Sequence, residues 1–240
     1  MKGKKYTTSI MSLVVLCIII AVGYYGYKKY ILPRKHQMTY LIETIKDAKY
    51  NVRINKQSLP NSYEGNEFNL NFWIYINDYR YRSHEDKILF ARKQDKAEDE
   101  GSDNDEPSPL IMLEKNMNHL NIRLNSETNY TTESPLTTQI PLMESFAPSF
   151  NVRKNEYRVE NIDLQKWVNI NIGVRHYNLD IYIDGKLIKS VLTDGYPVIN
   201  TGDLDICPGG GFNGFISKVE YSNKLLSTED VYKRYLMRPE

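Results

Sequence analysis

The sequence predicts an all-β domain of antiparallel strands behind a helical N-terminal segment, and three observations predict it. Between Asp163 and Leu192, Val168, Ile170, Ile172 and Val174 share one face while Asn169 and Asn171 take the other. Leu179, Ile181 and Ile183 then alternate with Asp180, Tyr182 and Asp184. A strict period of two marks half-buried antiparallel strands. Second, Asp184-Gly185 separates that run from a further strand over Lys186 to Leu192 and supplies a tight hairpin turn, because Gly tolerates positive φ. Third, Phe68, Leu70, Phe72, Ile74 and Ile76 alternate with Asn69, Asn71, Trp73, Tyr75 and Asn77 in the clearest long strand of the chain.

The 240 residues allow one sizeable domain plus appendages. Lys and Arg total 31 and Asp and Glu total 30, so no bulk positive charge calls for nucleic acid, which wants a clustered basic face. The two cysteines, Cys17 and Cys207, lie in different segments and are not expected to pair, which favours a reducing compartment for the domain. Asn, Lys, Ile and Tyr are frequent, with 19 tyrosines, a bias that reflects AT-rich codons and carries no mechanism.

A basic tail, 1–9, contains Lys2, Lys4 and Lys5. Ile10 to Tyr27 is strongly apolar and free of charge, and it is read as a transmembrane helix, which needs roughly 20 apolar residues. Tyr24, Tyr25 and Tyr27 suit the interfacial belt, and Lys28-Lys29 follow. The competing reading is a cleaved signal peptide, for which Ala21 and Gly23 offer a small-x-small site. Basic residues flank both ends, so the positive-inside rule does not orient the segment. Residues 28–48 form a juxtamembrane stalk: Pro33 ends or kinks the helix, and Met38, Leu41, Ile42 and Ile45 have the spacing of a short amphipathic helix over Gln37 to Ala48.

The globular domain is expected over 49–240. Tyr50, Val52 and Ile54 suggest an edge strand, and Lys87 to Arg92 a strand after the long one. Residues 94–109 are acidic, aperiodic and almost free of apolar side chains, an expected disordered loop that lacks the spacing of a calcium-binding EF-hand. Leu110 to Leu113 and Leu120 to Leu124 pair around Asn116-Met117-Asn118. Thr128 to Glu156, with Pro135, Pro141 and Pro148, reads as a long loop with one short strand, and Asn129-Tyr130-Thr131 is a glycosylation sequon that matters only in a lumenal domain.

Near the end, Phe212-Asn213-Gly214-Phe215-Ile216 leads through Val219 and Tyr221 to Leu226-Ser227-Thr228-Glu229-Asp230. Taken with Trp167, Tyr182, Asp184 and Gly185, and with Phe72-Trp73 on an early strand, this resembles the laminin-G-like domains of the concanavalin A-like lectin/glucanase superfamily. The resemblance covers Lys49 to Tyr235. It implies a two-sheet antiparallel jelly-roll sandwich in which Trp167, Tyr182, Asp184, Gly185, Phe212 and Gly214 are mainly framework. Ser227 is placed to cap a short final helix with Asp230 reaching back. The family also uses calcium at the jelly-roll rim, but no ligand set maps onto this chain, so no cofactor is expected beyond that.

Glycoside hydrolases on this fold need paired carboxylates on one strand face. Asp203 and Asp205 share a face but have no third acid, and an exposed strand face explains them better. His36, His84, His119 and His176 are scattered and give no metal-ligand spacing. No nucleotide or nucleophile motif occurs; Gly209-Gly210-Gly211 lies between late strands, not before a helix.

The chain is therefore expected to be no enzyme but a membrane-anchored, single-pass recognition module that binds a glycan or protein partner. Trp73, Tyr75, Tyr79 and Tyr81 are the candidate contacts, although Trp73 could equally be core. The alternative is a structural protein tethering a membrane to a coat, such as a minor capsid or membrane protein of a virion of a large DNA virus.

Overall fold

The computed structural model describes residues 3–27, 37–62, 65–95, 106–128 and 151–240. They divide into two compact units, Met1–Gln37 and Met38–Glu240. In the first, α1 (Gly3–Gly26) is a single helix of 24 residues. Its side chains are described from Val15 on, where Val15, Leu16, Ile18, Ile19, Ile20 and Val22 are all exposed. Among the described residues, no helix is long and apolar enough to cross a membrane. The segment expected to span, 10–27, is helical as far as Gly26.

The second unit is all-β. Its strands among the described residues are β1 (Met38–Ile42), β2 (Lys46–Asp47), β3 (Val52–Ile54), β4 (Phe68–Asp78), β5 (Lys87–Arg92), β6 (Leu110–Leu113) and β7 (Leu120–Thr128). There follow β8 (Asn151–Val159), β9 (Trp167–Arg175), β10 (Asn178–Ile183), β11 (Lys186–Leu192), β12 (Tyr196–Val198), β13 (Leu204–Ile206) and β14 (Asn213–Ser222), and the helix α2 (Thr228–Leu236) closes the chain. One sheet runs β1-β14-β4-β9-β10-β11, with β2 also on β14. The other runs β12-β7-β6-β5-β13-β3, with β8 also on β7. Every strand pairing is antiparallel. The architecture is the expected two-sheet antiparallel sandwich.

Residues 37–48 correct the reading of an amphipathic helix: they form β1 and β2 along β14, and the β unit begins at Met38 rather than Lys49. The apolar spacing fits a helix, but β14 presents a row of unpaired backbone groups, and pairing with it satisfies the ladder and seats Ile42 and Ala48 in the core. The loop expected before Glu156 also holds more strand than foreseen, since β8 pairs with β7 along its whole length. The sequon, the three prolines from Pro135 to Pro148, His36 and most of the acidic loop lie outside the described residues.

One apolar cluster fills the space between the sheets. It contains Phe72 and Ile74 of β4, Ile170 and Ile172 of β9, Phe90 of β5 and Ile122 of β7. Phe72 and Phe90 meet across the sandwich with ring centroids 4.7 Å apart. The Asp184-Gly185 turn forms as expected: both residues have positive φ, 49° and 73°. Gly214 is required by close approach, because a Cβ there would lie 1.9 Å from the Tyr75 carbonyl oxygen on β4.

The alternation correctly sorts β4 and β9 into two faces, but the second face is not solvent. Asn69, Asn71, Asn169 and Asn171 are each 1% exposed or less. The chain after β14 folds back over them. Leu226 and Val231 pack on Tyr182, and the Leu225 side chain lies over Gly173, 2.2 Å from where a Cβ would stand. Ser227 caps α2 as its sequence suggested, its hydroxyl accepting from the Asp230 N–H at 3.2 Å.

Candidate functional site

α2 lies against the outer face of the β4–β9 sheet, and its position creates a cleft. Register brings Trp73 opposite Asn169 and Tyr75 opposite Trp167 on the two central strands. Tyr235 of α2 stacks on Trp73, with centroids 5.9 Å apart and planes 16° from parallel. Trp167 meets Tyr75 edge-on at 5.6 Å, and Tyr75 meets Phe215 at 6.3 Å. Trp73, Trp167 and Tyr235 line a cleft of about 310 Å³ together with Lys166, Asp184 and Arg238.

The polar groups around it are held in place. Asp184 accepts the Asn169 N–H at 2.9 Å and returns its own N–H to the Asn169 carbonyl at 2.9 Å, so the hairpin turn is clasped to β9. Lys166 pairs with Asp163 at 2.6 Å and stands 4.0 Å from Asp184. The hydrogen bond to Asp163 holds the Lys166 ammonium above its ordinary pKa, so it stays charged. Trp73 is 1% exposed, and its indole N–H has no hydrogen-bond partner.

The four candidate contacts therefore separate. Trp73 is buried beneath Tyr235, so it is floor rather than exposed platform. Tyr75 remains half-buried beside Trp167. Tyr79 and Tyr81 do not join them. The Tyr79 hydroxyl donates to the Glu114 carbonyl under Lys87, whose Nζ lies 4.3 Å from the ring centre, and burial pushes its pKa up. The Tyr81 hydroxyl donates to the Gly210 carbonyl at 3.2 Å. Of the framework residues, Trp167 and Asp184 prove to line the cleft, whereas Tyr182 and Phe212 are buried. Lys166 adjoins Trp167 in the chain but carried no signal of a site, and Tyr235 and Arg238 reach the strands only through the docking of α2.

The carboxylates once weighed as catalytic are engaged elsewhere. Asp205 is 2% exposed, not on an open strand face; it accepts from Arg53 Nε at 2.7 Å and pairs with Lys93 at 3.2 Å. Burial would raise its pKa, but the hydrogen bonds and charges of Arg53 and Lys93 outweigh burial and hold it below the ordinary carboxylate value. Asp203 accepts the Lys56 N–H at 2.9 Å. Among the described residues no group of three His, Cys, Asp or Glu side chains is placed to hold a metal. Cys207 is fully buried and burial raises its thiol pKa to about 12, so it is not a nucleophile.

Fold and cleft together define the class: an antiparallel β-sandwich with an aromatic, charge-rimmed cleft beneath its C-terminal helix. No protein-family model matches the chain, and no curated protein matches it. Solved structures do match in fold. The botulinum neurotoxin serotype D binding domain aligns with a TM-score of 0.53 at 12% identity, over 85% of this chain and 47% of that one. The receptor binding domain of the botulinum neurotoxin C/D mosaic serotype aligns with a TM-score of 0.53 at 14% identity, over 85% of this chain and 46% of that one. This chain thus spans less than half the length of those structures. At such identity the likeness establishes a shared sandwich fold.

Proposed function

We propose that this protein is a non-catalytic recognition module, held at a membrane by α1, that binds a glycan in the cleft between Trp73, Trp167 and Tyr235. The carrying observation is the clustering of three aromatic rings with Lys166, Asp184 and Arg238 around one concave site. Binding sites of this kind combine apolar and aromatic walls with a few fixed polar groups that set orientation. A sugar ring offers an apolar face to Trp167 and hydroxyls to the charged rim. The non-catalytic reading is supported by Asp205, whose carboxylate is engaged by Arg53 and Lys93. The structures that share the fold are described as binding domains, the same class of role.

The membrane part of the reading rests on sequence. Thr7 to Gly26 contains no charged residue, and a helix of that length extends about 30 Å at roughly 1.5 Å per residue. Alkaline carbonate extraction of membranes tests it; release of the full-length protein into the soluble fraction would remove the anchor.

A glycan array probed with the full-length protein in detergent tests the binding. Retention of at least one glycan class is expected, and an array without any signal would defeat the reading.

A further inference from the structure

A second cavity, of about 280 Å³, lies away from the aromatic cleft, lined by Asn66, Glu67, Arg92, Glu127, Tyr196 and Asn200 among others. Two of its side chains are unusual. Arg92 is only 7% exposed, yet among the described residues it pairs with no carboxylate; its guanidinium lies 5.4 Å from the Tyr221 ring centre and donates to the Tyr221 hydroxyl at 2.6 Å and to the Gly202 carbonyl at 3.4 Å. Buried cations are normally compensated by an anion, because desolvation of the charge is expensive. Asn66 is 5% exposed, and its Oδ1 has no hydrogen-bond partner. The orientation of that amide is fixed, since its Nδ2 donates to the carbonyls of His176 and Pro197 at 2.8 and 3.0 Å. Among the described residues, the cavity therefore presents a guanidinium with no anion, beside a buried amide oxygen with no donor.

Tyr196 adds a third polar group, its hydroxyl accepting the Asn66 N–H at 3.2 Å and retaining its own proton to donate. The remaining charges narrow the ligand. Glu67 is 4% exposed and Glu127 lies at the lining, while Lys56, also in the lining, is paired with Asp95 at 2.6 Å, so a dianion would meet two carboxylates and a monoanion meets less repulsion. A guanidinium fork matches a carboxylate with two parallel hydrogen bonds. The free proton of the Tyr196 hydroxyl calls for a hydroxyl oxygen on the same molecule.

We propose that this cavity is a second binding site, specific for a small hydroxylated carboxylate that sets its carboxylate on Arg92 and a hydroxyl on Tyr196. The site is independent of the aromatic cleft, and its failure leaves the glycan reading untouched.

Calorimetric titration of the full-length protein in detergent with glucuronate, glucose and inorganic phosphate tests the proposal. Glucuronate is expected to bind at least tenfold more tightly than either of the others, and Arg92→Gln to reduce its affinity at least tenfold. Because that variant also breaks the Tyr221 bond, its folded state is checked by thermal unfolding. Glu127→Gln, which leaves Arg92 in place, is the second variant: it should tighten phosphate severalfold and glucuronate less. Glucose binding as tightly as glucuronate would overturn the role of the guanidinium. Phosphate binding as tightly would overturn the choice of a carboxylate. No heat from glucuronate at millimolar concentrations, or an unchanged phosphate affinity in Glu127→Gln, would overturn the site.

Discussion

Asn69 of β4 and Asn171 of β9 exchange two side-chain hydrogen bonds, each amide donating to the other's oxygen at 2.9 Å. Asn169 extends the network by donating to Asn71 at 3.1 Å. These amides are buried beneath the C-terminal segment, so each depends on its partner. Asn69→Leu strands the Asn171 oxygen and leaves its amide only the 3.5 Å bond to Asn71, and it should cost about 1–3 kcal/mol. Asn69→Leu combined with Asn171→Leu removes both partners and should recover much of that loss. Chemical denaturation of the four-member cycle gives the coupling; strictly additive losses would refute the reciprocal pair.

The Asp184-Gly185 turn is fixed by conformation and by its clasp on Asn169. Asp184→Asn keeps a side-chain acceptor and tolerates positive φ, so a loss of under about 1 kcal/mol is expected. Gly185→Ala places a Cβ at φ +73° and 3.1 Å from both Tyr232 and Tyr235, and it should cost more, about 1–2 kcal/mol. Thermal midpoints compare the two, each kcal/mol corresponding to roughly 2–4 °C at this size. A more stable Gly185→Ala protein would contradict the close packing of α2 on this turn.

Arg234 of α2 reaches Glu220 of β14 at 2.6 Å, with side chains 13% and 6% exposed. Burial raises the Glu220 pKa and the Arg234 charge opposes that rise. Arg234→Ala leaves a buried carboxylate alone and should destabilise by about 3 kcal/mol at neutral pH. The folded-state pKa then climbs further above the unfolded value, so the penalty grows as pH rises and shrinks as acid protonates Glu220. Denaturation at pH 5 and pH 7.5 should show the larger deficit at the higher pH. Equal deficits would mean that the pair does not hold α2.

Asp205 titrates in the opposite sense. Its folded-state pKa lies below the ordinary value, so its contribution to stability is present above about pH 4, the unfolded range, and is lost as pH falls through the lower folded value. The stability difference between the native protein and Asp205→Asn should be full at pH 7 and narrow below pH 4. A difference that persists unchanged into acid would show that Arg53 and Lys93 do not act on an ionised Asp205.

Glycan binding should depend on the rings at the cleft. Trp167→Ala, at a half-buried position, is expected to weaken binding at least tenfold while leaving the fold intact by circular dichroism. Tyr81→Phe, which removes the hydroxyl that donates to the Gly210 carbonyl, should bind as the native protein does. The reverse pattern would move the site to the Tyr79–Tyr81 end of the sandwich.

The sequence by itself determined the central strands, and the resemblance they carry implied the sandwich. Period-two alternation in β4, β9 and β10 follows from pleat geometry, and Asp184-Gly185 and Gly214 are local demands of backbone conformation and close approach. It also marked Ser227 as a cap. It could not determine what lies beyond each strand. The asparagines of β4 and β9 look solvent-facing until the C-terminal segment covers them, and the helical spacing at 37–48 yields to a vacant sheet edge. The cleft is likewise tertiary. Trp73 and Trp167 are placed by register and Lys166 adjoins Trp167 in the chain, but Tyr235 and Arg238 meet them only because α2 docks over that face. Periodicity reports which residues share a face; burial of that face depends on segments distant in the chain, so the site was decided by packing.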